Sequence, residues 1–327
     1  MSLAGSPPAR ALRVAVIGVG SLGQHHARIL AGLPGVELVA VADRLPERAR
    51  DVAQRHGVAA AAGPDDLPAD LHAVTIAAPT VDHAALASRC LARGWHVLVE
   101  KPMTATLPEA ERLVAEAREC SRVLAVGHTE RFNPVVRSLL ERVRRPRFIE
   151  AHRLGVFSAR STDIDVVLDL MIHDLDVVQA LVRRPLVSVE AIGVRALTDK
   201  IDIANARLSF EGGCVANLTA SRISAERVRK LRLFEDDAYV SVDCARQEGW
   251  RYRVRSEAGR PPEILREGLP AEVEEPLAVE LRIFAARARG EEAPIVTGEE
   301  GLLALRAAHR VLERIREQAA VAAADPA

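Results

Sequence analysis

The sequence lacks the features that mark membrane, secreted and nucleic-acid-binding proteins. None of its apolar runs approaches the ~18 residues of a membrane span, and residues 1–10 lack the apolar core of a signal peptide. The net charge of −1 provides no basic field for nucleic acid. The four cysteines lie far apart without a C-x-x-C pair, which argues against a zinc site and fits reduced thiols. We therefore expect a cytoplasmic protein that binds no membrane, nucleic acid or metal.

Lysine is scarcer still, since only three of the 44 basic residues are lysines: Lys101, Lys200 and Lys230. Arginine serves almost wherever a cation is needed. A lysine that is kept in such a background can supply a compact ammonium that exchanges a proton, which a guanidinium does not. Lys101 follows an apolar run that is typical of a strand, so we single it out as a candidate for chemistry.

The chain is long enough for two globular domains. Its 327 residues, 49% hydrophobic and 27% charged, are typical of folded proteins of that size. We predict a flexible leader over residues 1–10 and a dinucleotide-binding domain over residues 11–130. A substrate-binding and oligomerisation domain is predicted over residues 131–316, followed by a flexible tail over residues 317–327.

The first 130 residues alternate between strand and helix patterns. Five apolar runs, each followed by a helical pattern, lie at residues 12–18, 36–42, 71–78, 95–100 and 122–128. Such alternation predicts a parallel sheet that is covered by helices on both faces. We therefore predict an α/β fold in which the N-terminal part is a doubly wound Rossmann sheet.

The remainder has a different pattern. A strand-like segment at 147–157 and a helical segment at 164–183 are followed by six β-rich segments with no helix between them. This order predicts a C-terminal α+β domain that is built on a large open antiparallel sheet. The segment 258–270 is predicted to be a loop before the closing helices.

A glycine-rich turn carries the first chemical signal. The run G-x-G-x-x-G over 18–23 lies between a strand and a helix, and Asp43 ends the second strand 20 residues after Gly23. This context is the dinucleotide fingerprint, in which the glycines admit the pyrophosphate and the acid binds ribose hydroxyls. The predicted cofactor residues here are Gly18, Gly20, Ser21, Leu22, Gly23, Asp43 and Arg44. The Asp43 carboxylate favours NAD by repelling the 2′-phosphate of NADP, whereas Arg44 could pair with that phosphate.

Two further segments follow strands at the edge where open α/β sheets bind ligands. Ala78, Pro79 and Thr80 follow the third strand, and Glu100-Lys101-Pro102 follows the fourth. For His83 two interpretations stay open, a contact along the cofactor ribose or a surface histidine beside a helix cap. For Lys101 the alternative is an exposed loop lysine.

In the second domain, Asp169 and His173 are four residues apart and share one helix face. A histidine can take a hydroxyl proton near neutral pH, and a carboxylate one turn earlier can hold its ring. A buried ion pair and a partial metal site are the alternatives. We interpret Asp174 and Asp176 as a solvated acidic face. In the first helix, His25 is expected at the surface and His26 in packing.

These motifs together resemble the Gfo/Idh/MocA oxidoreductases over residues 12–316. The markers are GVGSLG, AAPTVDH, the EKP tripeptide and the pattern D-x-x-x-D-x-x-x-H at 165–173. The resemblance implies that Lys101 and His173 flank the reacting hydroxyl and that Asp169 supports His173. It also implies a cis Lys101–Pro102 peptide and a homodimer or homotetramer through the open sheet. The chain departs from the family by having Asp165 where glycine is common and Thr80 where asparagine is usual.

A narrower resemblance joins VGHTERFNPVV (126–136), residues 151–176 and residues 221–234 to the UDP-N-acetylglucosamine 3-dehydrogenases, which often act in lipid A synthesis. It implies C3 of the sugar as the site of oxidation. It also adds Glu100, Lys101, Pro102, Thr80, His83 and Arg131 to the cofactor set. The implied substrate set is Lys101, Asn133, Arg160, Asp169 and His173, with Arg153, Arg222 and Arg227 as further cations for the diphosphate. An inositol, polyol or other UDP-sugar dehydrogenase, or a non-catalytic NAD-binding regulator, remains the alternative.

Overall fold

The structure is a computed structural model, and it describes residues 11–157, 164–256 and 261–324. The chain divides into two compact units. The first contains the described residues up to Gly127 together with Leu277–Leu302, and the second contains His128–Pro276 and the residues from Leu303 onward. This division differs from the predicted domains, because Leu277–Leu302 groups with the first unit although it lies far along the chain.

The first unit contains a six-stranded parallel sheet in the order β3-β2-β1-β4-β5-β6. Its strands are β1 Leu12–Ile17, β2 Val36–Ala42, β3 Ala59–Ala61, β4 Ala73–Ile76, β5 His96–Glu100 and β6 Leu124–Gly127. The order reverses beside β1, so the carboxyl ends of β1 and β4 border a crevice where such sheets bind ligands. The Rossmann prediction is confirmed, and β3 is a short strand that the sequence pattern did not predict.

Four helices connect these strands, and their ends follow from local chemistry. They are α1 Gly23–Gly32, α2 Pro46–His56, α3 Thr80–Ala92 and α4 Leu107–Glu119. Helix α2 begins at a proline and ends at Gly57, whose φ of 67° suits a residue without a Cβ. Helix α4 begins with a capping box, in which Thr106 and Glu109 satisfy each other's backbone N–H groups.

The second unit is built on an eight-stranded sheet in the order β14-β13-β12-β11-β7-β10-β9-β8. Its strands are β7 Phe148–Leu154, β8 Leu186–Val194, β9 Ile203–Phe210, β10 Val215–Ser221, β11 Val228–Phe234, β12 Ala238–Asp243, β13 Glu248–Arg255 and β14 Glu263–Gly268. All neighbours pair antiparallel except β7 and β10, which are parallel. The predicted large antiparallel sheet is therefore confirmed in outline, with one parallel pair inside it.

The predicted loop at 258–270 is wrong for residues 263–268, which form β14. This strand lies at the edge of the sheet and pairs only with β13, and its side chains are almost all exposed. An edge strand with little to bury carries no clear alternation of apolar and polar residues, so its sequence resembles a loop.

Two helical segments follow β6 and β7 in the second unit. Helix α5 spans Pro134–Arg142, and a π-helical turn over Val167–Met171 leads into α6, Ile172–Val182. The π-helical turn differs from the uniform helix predicted at 164–183. Asp165, the departure from the family pattern, holds the start of this segment because its Oδ1 accepts a hydrogen bond of 2.8 Å from Ile201 N.

Two helices close the chain. They are α7 Pro276–Ala288 and α8 Gly298–Ala324, so the tail predicted at 317–327 is wrong for residues 317–324. Five of the eight residues from 317 to 324 are alanines, and alanine is the residue that favours helix most. The residues between the two helices join the first sheet, since Val126 N donates to Val296 O over 3.0 Å. Gly301 permits this contact, because a Cβ there would lie 2.4 Å from a methyl carbon of Val126.

Four aromatic side chains form a ladder across one face of the sheet in the second unit. Phe148, Phe234, Tyr239 and Tyr252 stand at paired positions on β7, β11, β12 and β13. Their successive ring centroids are 5.7, 4.9 and 5.4 Å apart. The ladder gathers four of the ten aromatic residues of the chain, although aromatics make up only 3% of the composition.

The cysteines give a first testable prediction. Cys90, Cys214 and Cys244 are buried and Cys120 is exposed. Burial raises the pKa of Cys90 to about 12 and that of Cys214 to about 11, so neither forms the reactive thiolate near neutral pH. We expect a thiol reagent to titrate one cysteine in the native protein and four in denaturant. A Cys120→Ser variant should leave no fast-reacting thiol, and a second fast thiol in it would contradict the expectation.

Among the residues that the structure describes, no helix combines the length and the apolar character that a membrane span requires.

Candidate functional site

The glycine-rich turn after β1 has a backbone that only glycine fits. Gly18 has a φ of 83°, and a Cβ there would lie 2.6 Å from the backbone nitrogen of Ala78. At Gly23, where α1 begins, a Cβ would lie 1.8 Å from the carbonyl oxygen of Gly18. The turn therefore keeps close to the loop after β4, and α1 begins at the ligand edge of the sheet, where the positive end of its dipole favours an anion.

Asp43 is buried at the carboxyl end of β2, and its position is fixed by backbone groups. Its Oδ2 accepts a hydrogen bond of 2.9 Å from Val19 N, and its Oδ1 accepts one of 3.0 Å from Leu45 N. The guanidinium of Arg48 lies 3.5 Å from the same carboxylate. Oδ2 accepts from both Val19 N and Arg48, whereas Oδ1 accepts only from Leu45 N among the described residues and retains a lone pair for a ribose hydroxyl.

A cavity of about 520 Å³ opens between these elements, which is a typical size for a small-molecule site. Six predicted cofactor residues line it: Gly18, Gly20, Asp43, Arg44, Ala78 and Pro79. The glycine backbone, the exposed helix N-terminus and the fixed acid fit the pyrophosphate and ribose of a dinucleotide. The sequence reasoning missed Arg48, Asp82 and Arg89, which also line the cavity. Arg48 could have been found, because it lies in the first turn of the helix that follows Asp43.

The other predicted cofactor residues do not belong to the described lining of this cavity. Ser21 and Leu22 are exposed just before α1, and Gly23 and Thr80 start α1 and α3. Arg131 forms an ion pair with Asp176 in the second unit. Their contacts with a cofactor stay predictions.

His83 is buried, so its interpretation as a surface histidine is wrong. Its Nδ1 lies 2.9 Å from the carbonyl oxygen of Pro102, and its Nε2 lies 2.8 Å from the carbonyl oxygen of Ala78. Helix α3 directs the ring toward the sheet because position 83 lies on its buried face. His83 thus connects the loop after β4 with the loop after β5.

The EKP tripeptide continues from β5, and the Lys101–Pro102 peptide bond is cis, which confirms the expectation from the resemblance. Lys101 is half-buried, which excludes the fully exposed loop lysine. Glu100 is buried, and its Oε1 lies 3.1 Å from Nε2 of His26 on α1. His26 is buried and His25 is exposed, as predicted, although no sequence pattern indicated the pairing between His26 and Glu100.

Asp169 and His173 are both half-buried and lie on the π-helical turn and the first turn of α6. Single π-helical turns occur often at functional sites. The ring of His173 meets the ring of His128 edge to face, with centroids 6.2 Å apart. His128 is a buried residue that sequence reasoning did not single out. Within the described ranges no three histidine, cysteine or acidic side chains are grouped as a metal site would require.

Asp174 and Asp176 are not a solvated acidic face, and that interpretation is wrong. Both oxygens of Asp174 accept hydrogen bonds from Arg153, which also donates to Glu130 over 2.8 Å. Asp176 is buried and accepts two hydrogen bonds from Arg131. Burial opposes the ionisation of Glu130, but the Arg153 guanidinium outweighs it and keeps the pKa of Glu130 below its ordinary value. These ion pairs attach α6 to β7 and to the segment after β6.

Several residues that were predicted to meet the substrate have internal roles. Asn133 is buried; its Nδ2 donates to Cys244 O and to Glu130, and its Oδ1 caps α5. The amide group of Asn133 thus has partners within the second unit, and its contact with a substrate stays a prediction. Arg153 and Arg222 are also buried, and Arg222 lies 3.8 Å from Asp202.

Two predicted cations remain, Arg227 and Arg160. Arg227 is exposed. Arg160 lies outside the described residues, so its predicted contact with the substrate stays a prediction.

Comparison with known proteins agrees with this geometry. The model of an oxidoreductase family with an NAD-binding Rossmann fold matches residues 12–128, and that of the GFO/IDH/MocA C-terminal domain matches residues 142–259. UDP-N-acetylglucosamine 3-dehydrogenase of Acidithiobacillus ferrooxidans is 44% identical over 233 residues, which cover 71% of this chain and 74% of that protein. Myo-inositol 2-dehydrogenase of Thermotoga maritima is 24% identical over 95% of this chain and 98% of its own length.

A solved structure of UDP-N-acetylglucosamine 3-dehydrogenase from Acidithiobacillus ferrooxidans has the same fold. It matches with a TM-score of 0.87 at 38% identity, and the alignment covers 93% of this chain and 97% of that chain. The family models together span more than half of the sequence. The chain therefore belongs to the GFO/IDH/MocA oxidoreductase family.

Proposed function

We propose that the protein is an NAD-dependent dehydrogenase that oxidises C3 of UDP-N-acetylglucosamine to the 3-keto sugar. The observation that carries the substrate is the similarity to the dehydrogenase of that name from Acidithiobacillus ferrooxidans, at 44% identity. The similarity in structure extends over 97% of that enzyme's solved chain. Lys101, Asp169 and His173 supply the three side chains that the oxidation of a hydroxyl requires.

The first unit provides the cofactor site in this proposal. The backbone N–H groups of the turn at Gly20 and the start of α1 receive the pyrophosphate, and Asp43 accepts hydrogen bonds from the adenosine ribose. When bound, NAD supplies the acceptor for the C3 hydride. The residues of the protein then have to handle the hydroxyl proton and the charge on its oxygen.

His173 takes the proton of the C3 hydroxyl, and Asp169 holds the imidazole in the orientation that this transfer requires. Lys101 donates a hydrogen bond to the same oxygen and stabilises the negative charge that develops as the proton leaves. As C3 loses its hydride, its C–O bond becomes a carbonyl. The products are the 3-keto sugar, the reduced cofactor and a protonated His173.

We further propose NAD rather than NADP, because the fixed carboxylate of Asp43 opposes a 2′-phosphate. An Asp43→Asn variant should lower the ratio of kcat/KM for NAD to that for NADP at least tenfold, which corresponds to about 1.4 kcal/mol. Arg44 and Arg48 line the same cavity and would then face the phosphate without the Asp43 carboxylate between them and it. Steady-state kinetics with both cofactors measure the ratio.

Asp82→Asn is the matched control, since Asp82 lines the same cavity from α3. It should leave the ratio within about twofold of the wild type. An unchanged ratio in Asp43→Asn, or an equal change in Asp82→Asn, would contradict the assignment.

The open sheet is proposed to join two copies of the chain in a homodimer or homotetramer. The aromatic ladder gives that face apolar area, and a charge inside it would be desolvated on association. Tyr239→Glu should therefore weaken self-association at least tenfold by analytical ultracentrifugation. Val273→Glu is the control, because Val273 is 82% exposed and lies outside the strands. A monomeric wild type, or unchanged association in Tyr239→Glu, would refute the proposal.

The deciding experiment is NADH absorbance with NAD and a panel of UDP-sugars, free N-acetylglucosamine and inositols. Glutamate and a sugar aminotransferase remove the ketone so that the equilibrium does not hide turnover. Activity that depends on the UDP group supports the proposal. Activity with inositol alone would favour the polyol alternative, for which the inositol dehydrogenase of Thermotoga maritima is the precedent. Silence with intact NAD binding would favour a regulator.

The proposal also extends to cellular context. The cysteines of the chain are unpaired, which suits the reducing cytoplasm, where we place the enzyme. A 3-keto sugar nucleotide fits lipid A synthesis, in which the resemblance places enzymes of this kind.

A further inference from the structure

Two buried histidines in the first unit contact the EKP tripeptide from opposite ends. His26 on α1 is 0% exposed, and His83 on α3 is 1% exposed. Buried histidines need polar partners, and each of these finds one in the three residues around Lys101. Neither ring belongs to the described lining of the cofactor cavity, and the proposed mechanism uses neither of them.

At the start of the tripeptide the contact passes through Glu100. Its Oε1 lies 3.1 Å from Nε2 of His26, and its Oε2 accepts a hydrogen bond of 3.3 Å from the backbone N–H of Lys101. The carboxylate occupies space that exists only because residue 127 is glycine, since a Cβ there would lie 2.7 Å from the carboxyl carbon of Glu100. The carboxylate thus connects α1, which begins at the glycine-rich turn, with the backbone of Lys101.

At the end of the tripeptide the contact is direct. Nδ1 of His83 lies 2.9 Å from Pro102 O, and Nε2 lies 2.8 Å from Ala78 O. Both partners are carbonyl oxygens, which only accept hydrogen bonds. Ala78 lines the cofactor cavity, so the same ring contacts both the wall of the cavity and the residue after Lys101.

We propose that His26 and His83 are positioning residues, a histidine clamp that fixes Lys101 relative to the cofactor cavity. The clamp holds the backbone on each side of Lys101, so this backbone can shift only if a buried hydrogen bond breaks. This inference rests on the proposed function in one respect, namely that Lys101 takes part in the reaction. Displacement of a reacting group by about 1 Å can lower turnover ~10²-fold, so a clamp at this place would be felt in catalysis.

The scarcity of lysine supplies a test that requires no substrate. The chain has three lysines, and Lys200 and Lys230 are both exposed, so they report the background reactivity. Limited acetylation followed by mass spectrometry gives the ratio of Lys101 to Lys200 acetylation in each variant. In His83→Leu and in His26→Leu we expect this ratio to rise at least threefold, while the ratio of Lys230 to Lys200 stays constant.

His25→Leu is the matched control, because His25 is exposed on the same helix as His26. It should change neither ratio. If a leucine variant does not fold, His83→Gln and His26→Gln replace it, since glutamine keeps one donor and should raise the ratio less. An unchanged ratio of Lys101 to Lys200 in folded His83 and His26 variants would overturn the clamp.

Kinetics then separate the clamp from a general structural role. If the sugar is oxidised as proposed, His26→Gln should lower kcat about tenfold or more while the KM for the sugar stays within about threefold. A loss of thermal stability alone, with kcat and the acetylation ratio of Lys101 both unchanged, would reject positioning. Because acetylation requires no sugar, the clamp can hold even if the proposed substrate fails, and it can fail even if the substrate is right.

Discussion

Replacing His173 with alanine should lower turnover by ~10²–10⁴-fold, because the hydroxyl then loses the base that accepts its proton. The affinity for NAD should stay within about twofold, since the described cofactor cavity is lined by residues of the first unit. NADH absorbance measures turnover, and calorimetric titration with NAD measures affinity. A variant that retains more than a tenth of wild-type turnover would remove His173 from the reaction.

Two further variants sharpen this test. Asp169→Asn should lower turnover less than His173→Ala, because it weakens the support of the imidazole without removing it. His152→Ala is the control, since His152 is an exposed histidine on β7 and should be silent. If Asp169→Asn and His152→Ala behave alike, Asp169 has no role in holding the ring.

Replacing Arg153 with methionine should lower the free energy of unfolding by about 3–5 kcal/mol, as expected when one partner of a buried ion network is removed. Glu130 and Asp174 would remain as buried carboxylates without their cation, and all three side chains are at most 13% exposed. Urea denaturation at neutral pH measures the difference.

The stability difference should also depend on pH. The pKa of Glu130 is depressed in the folded protein, so the stabilisation by this carboxylate is present above the pKa of the unfolded chain. It disappears as the pH falls through the pKa of the folded protein. The difference between variant and wild type should therefore shrink in acid.

Arg147→Met is the control for this prediction. Arg147 immediately precedes the same strand and pairs with Asp236 at 3.5 Å, but both side chains are about half exposed or more. Exposed pairs contribute about 0–1 kcal/mol, so this variant should be nearly neutral. Equal losses in Arg147→Met and Arg153→Met would show that burial of the network has no part in its strength.

The secondary structure that the sequence predicted best is the part with the strongest periodicity. Continuous apolar runs identified β1 and β2, and a proline and a glycine marked the ends of α2. The strand β3 consists of three alanines, which have little preference for strands, and it was missed. One-dimensional patterns also cannot show which strands pair, so the parallel contact of β7 with β10 appeared only in the structure.

The same limit explains the wrong interpretation of the acidic residues in α6. A carboxylate in a sequence resembles a solvated charge unless its partner is known, and acidic residues are rarely fully buried unless paired. The partner of Asp174 is 21 positions away, and that of Asp176 is 45 positions away. In the cofactor cavity the glycine turn and Asp43 form a local motif, so they could be identified. Arg89 reaches the cavity through the fold from the far end of α3 and could not be identified.

The first unit combines residues from the beginning of the chain with residues from near its end. Its hydrophobic core joins Val14 and Leu30 with Leu277, Leu281 and Phe284, which follow the whole of the large sheet. During synthesis the first strands emerge from the ribosome long before these residues exist, so the nascent Rossmann layers expose apolar surface while the rest is translated. We therefore expect the first unit to complete its core only near the end of translation, and we expect a fragment that stops after β6 to aggregate.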